Sequence, residues 1–209
     1  MIEARSAAFR YGARVVLEGI SMRLEEPSVV ALCGPNGSGK STLLHVLAGI
    51  YPAQAGDVLL DGTDVLSMRP AQRARRIAVV PQYTTVGFDL TVEDYCALGR
   101  LHRADFLDRL LWRPLGGEDA AAVESALSRL SLTGLRTRRI SRLSGGERAR
   151  AAVALALAQG ADHLLLDEPT AHLDPAFSRE LLVILQGLAE SGIRILIVLH
   201  DLTLAGLYA

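Results

Sequence analysis

The stretch Gly34-Pro35-Asn36-Gly37-Ser38-Gly39-Lys40-Ser41 matches the pattern G-x-x-x-x-G-K-[ST]. It follows an apolar run at residues 29–33 and opens a helical pattern at residues 42–48. A glycine loop in this position can wrap its N–H groups around phosphate oxygens, and the helix N-terminus adds the positive end of its dipole. A chance glycine-rich turn is the alternative, which the flanking strand and helix disfavour. The stretch therefore predicts a nucleoside triphosphate site on an α/β core.

Three side chains at the end of this loop have separate expected roles. The Lys40 ammonium would pair with the β- and γ-phosphates as a point charge, and the Ser41 hydroxyl would ligate Mg²⁺. Thr42, the next residue, can add a phosphate contact. The loop thus predicts a nucleotide and magnesium as ligands.

Composition limits the classes of protein. With 209 residues, 50% of them apolar, the chain can bury one sizeable core, so we expect a single domain over residues 1–209. A net charge of −1 gives no general attraction to nucleic acid or anionic lipid. Arginines cluster at residues 69–76 and 136–142, but no aromatic residues interleave them, which favours a solvated surface. No nucleic-acid partner is expected.

Cysteine usage and hydropathy indicate a cytoplasmic location. Cys33 and Cys96 form no disulfide framework, and there is no Cys/His spacing typical of zinc. The first residues are polar, and no apolar run reaches the ~18 residues that suggest a membrane span. We expect a soluble or peripheral protein.

Strand and helix patterns alternate in the second half. Ile77–Val80 is β-branched and is followed by Pro81, so Gln82 lies at the carboxyl end of a strand, where open α/β sheets bind ligands. Strand patterns at residues 163–166 and 193–199 flank a helical pattern at residues 175–189, which implies a parallel sheet.

The middle of the chain is helical in character. Thr91 and Asp94 have the spacing of a helix start, and residues 118–130 have helical periodicity. We expect a helical subdomain, residues 83–144, inserted in the core.

Two carboxylates, Asp167 and Glu168, directly follow the apolar run Leu164-Leu165-Leu166. Beside a phosphate loop, the first would hold Mg²⁺ and the second would act as a general base toward water. A solvated acidic strand end is the alternative, since Asp-Glu pairs are common. The phosphate loop favours the metal and base roles.

The segment Ser144-Gly145-Gly146-Glu147 precedes a long helical pattern. Ser144 and Glu147 have capping-box spacing, which alone would start a helix. That leaves the glycines unexplained, because each costs about 0.5–1 kcal/mol relative to alanine in a helical turn. We expect the backbone here to approach another group closely, and a second phosphate-facing helix N-terminus is the natural candidate.

In their order and spacing these segments resemble those of an ATP-binding cassette (ABC) ATPase subunit. The matching segments are residues 34–42 (Walker A), Gln82 (Q-loop), residues 143–147 (signature), residues 164–168 (Walker B), Ala171-His172-Leu173-Asp174 (D-loop) and His200 (switch histidine).

The resemblance implies an α/β P-loop NTPase (RecA-like) core with a mainly parallel sheet, an N-terminal antiparallel β part and an inserted helical subdomain. It implies ATP and Mg²⁺ as cofactors, with Tyr11 stacked on adenine and His200 at the γ-phosphate. Taken alone, each of these two would more often be an ordinary structural residue. The implied residues are Lys40, Gln82, Glu168 and His200 for catalysis, Ser41, Gln82 and Asp167 for metal, and Tyr11, Gly34, Pro35, Asn36, Gly37, Ser38, Gly39, Lys40, Ser41, Thr42, Ser144, Gly145, Gly146 and Asp174 for nucleotide.

Subunits of this family hydrolyse ATP when two copies sandwich two nucleotides, so the resemblance implies a homodimer in which Ser144 acts on the partner's nucleotide. It also implies transmembrane permease subunits, contacted by the helical insertion and the Gln82 region, a periplasmic or surface substrate-binding protein, and a place on the inner face of the cell membrane. The segments around Val80-Pro81-Gln82 and residues 88–100 resemble importers of iron-siderophore, haem or cobalamin.

Two other functions stay open. One is a cytosolic ABC ATPase of iron–sulfur assembly, translation or DNA repair, although the last two usually have tandem cassettes or long coiled coils. The other is a nucleotide-binding pseudo-ATPase, disfavoured because Lys40, Asp167, Glu168 and His200 are present. The chain departs from many relatives at Leu155, where they have arginine. It also ends at Ala209, so we expect the C-terminal end of the usual domain to be missing.

Overall fold

The computed structural model describes residues 1–82, 88–103, 116–171 and 173–209. Parts of the expected helical insertion, residues 83–87 and 104–115, lie outside the described residues, as does His172 of the D-loop segment. Among the described helices, none combines the length and the apolar character needed to cross a membrane.

An antiparallel sheet is built from the N-terminal part of the chain. Its strands are β1 (Ile2–Tyr11), β2 (Arg14–Leu24), β4 (Ala55–Leu60) and β5 (Thr63–Asp64), in the order β2-β1-β4-β5. Asp61 and Gly62 turn the chain between β4 and β5 with φ of 49° and 80°, a left-handed conformation suited to a two-residue hairpin. Gly12, with φ of 58°, has a left-handed conformation in the turn between β1 and β2.

A parallel sheet forms the centre of the molecule. Its strands are β3 (Val29–Cys33), β6 (Ile77–Val80), β7 (His163–Asp167) and β8 (Arg194–Leu199), in the order β3-β8-β7-β6. Every residue of β7 is buried, as expected of a strand covered on both faces.

Helices cover both faces of the parallel sheet. The helices are α1 (Lys40–Leu47), α2 (Pro70–Ala74), α3 (Val92–Ala97), α4 (Gly117–Arg129), α5 (Gly145–Ala158), α6 (Pro175–Glu190) and α7 (Leu202–Tyr208), with 3-10 turns at Leu98–Arg100, Thr133–Leu135 and Ile140–Arg142. The apolar side chains of α1 pack with both sheets in one core. Those of α5 and α6 form a second core on the other face of the parallel sheet. The predicted α/β class, with a parallel sheet and an antiparallel N-terminal part, is confirmed.

The helical layer is joined to the end of α5 by a buried arginine. Arg100 is only 4% exposed and donates to the Ala158 carbonyl oxygen at 2.7 Å and to Asp119 Oδ1 at 2.6 Å. A cation at a helix C-terminus satisfies free carbonyl groups and interacts favourably with the dipole. The 3-10 turn after α3 thus caps α5 at the end opposite Ser144.

Some arginines of the two sequence clusters form ion pairs at the surface. Arg76 binds Asp162 at 2.9 Å and Asp61 at 2.6 Å, which links the two sheets. Burial by itself would raise the pKa of Asp162, but hydrogen bonds from His163 and Arg76 outweigh it and hold that pKa well below its ordinary value. In the second cluster, Arg136 pairs with Glu93.

Candidate active site

The phosphate loop contains glycines in backbone conformations that other residues rarely adopt. Gly37 and Gly39 have φ of 76° and 94°, in the left-handed region that favours glycine. A Cβ at Gly39 would lie 3.0 Å from both the Cγ1 atom and the carbonyl oxygen of Val16. The loop therefore lies directly against the start of β2.

Lys40 helps to hold the loop in this shape. Its side chain is largely buried, and Nζ donates to the carbonyl oxygens of Gly34 and Pro35, each at 2.9 Å. The Ser38 N–H also donates to the Pro35 carbonyl, at 3.3 Å. Since an ammonium has three donors, a phosphate oxygen can be bound without breaking either lysine bond.

Ser41 and Asp167 form a pair of hard oxygen ligands. The Ser41 Oγ donates to Asp167 Oδ1 at 2.9 Å, and Asp167 is 5% exposed at the end of β7. Among the described residues, no three His, Cys, Asp or Glu side chains group into a metal cage. Mg²⁺ is usually bound by one or two carboxylates with phosphates and water, so the residues present fit this ion.

Glu168 lies between two other predicted residues from separate strand ends. Its Oε2 accepts a hydrogen bond from Gln82 Nε2 at 2.7 Å, and its Oε1 lies 2.6 Å from His200 Nε2. Gln82 follows β6 and His200 follows β8, so three neighbouring strands of one sheet supply the group.

A cleft of about 430 Å³ collects most of the predicted site residues. Tyr11, half exposed at the tip of the β1–β2 hairpin, forms one wall and meets Phe9 and Tyr51 edge-on at ring distances of 4.9 and 6.0 Å. The residues that line the cleft are Tyr11, Arg14, Val16, Asn36, Gly37, Gly39, Lys40, Ser41, Thr42, Gln82, Glu168 and His200.

Other predicted nucleotide ligands lie outside this cleft. Ser144 is exposed and forms the expected capping box, accepting from the Glu147 N–H at 3.2 Å and donating its own N–H to Glu147 at 2.7 Å. Asp174 is exposed and caps α6, accepting from the N–H groups of Ala176 and Phe177 at 2.9 and 3.1 Å. One copy of the chain does not bring either residue to the cleft.

The signature glycines differ in their surroundings. A Cβ at Gly146 would lie 2.9 Å from the ring of Phe177 on α6, so this glycine has a packing reason that the sequence argument did not identify. A Cβ at exposed Gly145 would make an ordinary 3.4 Å contact with Leu173. The backbone of α5 therefore approaches α6 closely at Gly146, and its phosphate-facing role stays a prediction.

Arg14 and Val16 also line the cleft, although neither was among the predicted site residues. A local signal for Arg14 was present: Tyr11-Gly12-Ala13-Arg14 has the form of a hairpin with a two-residue turn, which places Arg14 directly opposite Tyr11. Val16 is brought to the loop by the contact with Gly39, which no short-range pattern indicates.

Comparison with known proteins fits this geometry. Residues 17–171 match the family model described as ABC transporter. The chain belongs to the ABC transporter family. This ABC cassette is 43% identical to the hemin import ATP-binding protein HmuV of Streptomyces coelicolor, over 95% of this chain and 68% of the relative. It is 37% identical to the petrobactin import ATP-binding protein FpuC of Bacillus anthracis, over 100% of this chain and 75% of the relative.

Solved structures match the cassette over its whole length. The ADP conformation of MJ1267, an ATP-binding cassette of an ABC transporter, superposes with a TM-score of 0.88 at 26% identity, covering 100% of this chain and 84% of that one. Family and fold together show an ATPase domain whose ATP hydrolysis is coupled to transport.

Proposed function

We propose that the cassette binds ATP with Mg²⁺ and hydrolyses it to drive import of an iron chelate such as haem or a siderophore. The observation that carries the proposal is one cleft that brings together the phosphate loop, Ser41 and a glutamate held by Gln82 and His200, with Asp167 bound to Ser41 behind it. The names of the relatives, hemin and petrobactin import proteins, support the class of cargo. They favour transport over a cytosolic role in iron–sulfur assembly, translation or DNA repair.

Tyr11, the phosphate loop and the polar side chains at the strand ends each have a role in this proposal. Tyr11 stacks on the adenine, and Lys40 with the loop N–H groups binds the phosphates. Ser41, Asp167 and Gln82 would hold Mg²⁺, which supplies positive charge against the triphosphate. Glu168 accepts a proton from the attacking water, while Gln82 and His200 orient its carboxylate.

The position of Ser144 supports a dimeric assembly. This residue and Gly145 are exposed and lie outside the cleft, so a second copy would have to bring its own signature segment to the nucleotide. We infer a homodimer docked on permease subunits at the inner face of the membrane, supplied by a separate substrate-binding protein. The helical layer and the Gln82 region would contact the permease.

Replacing Lys40, the only lysine among the 22 basic residues, tests the ATPase proposal. We expect Lys40→Ala to lower steady-state ATPase by about 100-fold or more, because the phosphates lose a charge-assisted partner. Arg179→Ala removes an exposed charge from α6 and serves as the control. Full ATPase activity in the Lys40→Ala protein would contradict the role given to this residue.

The transport part of the proposal has to be tested in living cells. Disruption of the gene should abolish uptake of iron supplied as haem or as a siderophore, and wild type but not Lys40→Ala should restore it. Unchanged uptake of every iron chelate tested, with an ATPase that works, would contradict the cargo class alone.

A further inference from the structure

Arg14 is a cation of the nucleotide cleft that the roles above leave unused. It is the first residue of β2 and pairs with Tyr11, the last residue of β1, across the hairpin. Directly opposed residues of an antiparallel pair project to the same face. Both residues line the cleft, so Arg14 is beside the tyrosine assigned to the adenine.

The hairpin that carries Arg14 is fixed against the phosphate loop. Strand register shifts by one residue between the pairs Phe9–Leu17 and Arg10–Val15, which leaves Val16 as an extra residue in β2. Such bulges re-aim side chains next to active sites. Val16 in turn lies against Gly39, so the distance between Arg14 and the loop is set by direct packing.

The two cations of the cleft differ in their existing partners. Lys40 is largely buried and bound to two carbonyl oxygens of its own loop. Arg14 is exposed, and within the part of the chain that the structure describes its guanidinium makes no hydrogen bond or ion pair. Its five donors are therefore available for a ligand in the cleft.

We propose that Arg14 binds the nucleotide through the two phosphates nearer the ribose, which ATP and ADP have in common. Arg14 is next to Tyr11 and two residues before Val16, which touches the loop, so it would lie between the base and the terminal phosphates. A guanidinium recognises phosphate oxygens by paired hydrogen bonds. Because ATP and ADP both contain these phosphates, Arg14 contributes to the affinity for both. This inference rests on the proposed function of the cleft.

Equilibrium binding of ATP, ADP and adenosine to the full chain tests the assignment. The measurements are made without Mg²⁺, so that ATP is not hydrolysed. Arg14→Gln should weaken ATP and ADP alike, by about tenfold, and Arg14→Lys should weaken both by a smaller factor because it keeps the charge but loses the fork. Adenosine should bind the variants and the wild type equally. Arg10→Gln is the matched control, since Arg10 is exposed on the same hairpin, does not line the cleft and carries the same charge.

The possible outcomes separate a failure of the role given to Arg14 from a failure of the proposed ATP site. Equal nucleotide affinity in wild type and Arg14→Gln overturns the role of Arg14 and leaves the ATP site intact. If Arg14→Gln loses affinity for ATP alone, the contact is at the γ-phosphate. If it loses affinity for adenosine equally, the contact is on the base or ribose. Either result overturns the assignment. Failure of the wild type to bind any of the three overturns the ATP site itself.

Discussion

At the scale of single residues, Glu168 combines an unusual backbone with two side-chain partners. Its φ is 50°, a left-handed value that costs a non-glycine residue about 1–3 kcal/mol. Its carboxylate oxygens are engaged by Gln82 and His200, and the side chain is 14% exposed. Such backbone outliers persist where the surrounding structure fixes them, and here both partners come from other strand ends.

The general-base role predicts a clean separation of binding from hydrolysis. Glu168→Gln keeps the volume and a hydrogen-bonding oxygen but removes the proton acceptor, so ATPase should fall by about 100- to 10,000-fold. ATP binding should be retained, measured as an ATP-dependent rise in Tm. Glu190→Gln, at the exposed end of α6, is the isosteric control. Turnover within a few fold of wild type would remove Glu168 from the proton-transfer step.

Residue roles with a local pattern could be predicted, and those set by long-range packing could not. The capping box of Ser144 and Glu147 follows from spacing, and the structure contains it. Gly146 is explained by Phe177, which is 31 positions away and reaches it only after α5 and α6 have packed. Arg100 gives no sequence signal at all, because an arginine followed by loop residues is usually exposed.

At the scale of elements, the 3-10 turn after α3 lies directly on the backbone of α5. A Cβ on buried Gly99 would lie 2.4 Å from the Leu155 carbonyl oxygen and 3.0 Å from the Gln159 nitrogen. Both atoms are backbone and cannot move without shifting the helix. At Leu155 it is therefore the main chain that contacts the 3-10 turn, and this contact does not depend on the side chain at that position.

This contact predicts opposite effects for two glycine substitutions. Gly99→Ala should lower the free energy of unfolding by about 1–3 kcal/mol through overpacking. Gly187→Ala, inside α6 with nothing within 4 Å of its Cβ position, should raise it by about 0.5–1 kcal/mol. Urea denaturation of the two variants and the wild type measures both. A Gly99→Ala protein as stable as Gly187→Ala would contradict the close approach of the turn to α5.

Element positions were mostly accessible from the sequence, whereas their order in the sheet was not. The predicted strand Ile77–Val80 has those same bounds, and the predicted helix at residues 175–189 is one residue longer in the structure. The order β3-β8-β7-β6 joins segments more than 160 residues apart, at Val29 and Ile195. Alternation of strands and helices implies parallel pairing but leaves the order of neighbours open.

At the scale of the whole molecule, the position of the signature segment separates it from the cleft of its own chain. Ser144 and Gly145 are exposed at the start of α5, and neither lines the cleft that contains Lys40. In the proposed homodimer, each ATP would lie between the loop of one copy and the signature of the other. Damage to Lys40 and damage to Ser144 would then affect different sites.

Mixing two inactive variants tests this arrangement. Lys40→Ala disables the site built on its own loop, whereas Ser144→Asp places negative charge against the partner's nucleotide and keeps an N-cap acceptor for α5. Each homodimer should be inactive at both sites. In a mixed dimer the loop of the Lys40→Ala copy faces the signature of the Ser144→Asp copy, so both lesions fall in one site and the other is intact.

We expect an equal mixture to recover ATPase activity, up to about a quarter of the wild-type rate if sites turn over independently, because half of the dimers would be mixed and each has one working site. Differential tags verify that mixed dimers form, and melting curves verify that both variants fold. A covalently linked dimer with Lys40→Ala in one half measures what one intact site can do. If that linked dimer is active while verified mixed dimers stay at the level of the separate variants, Ser144 acts on the nucleotide of its own chain and the trans arrangement is wrong.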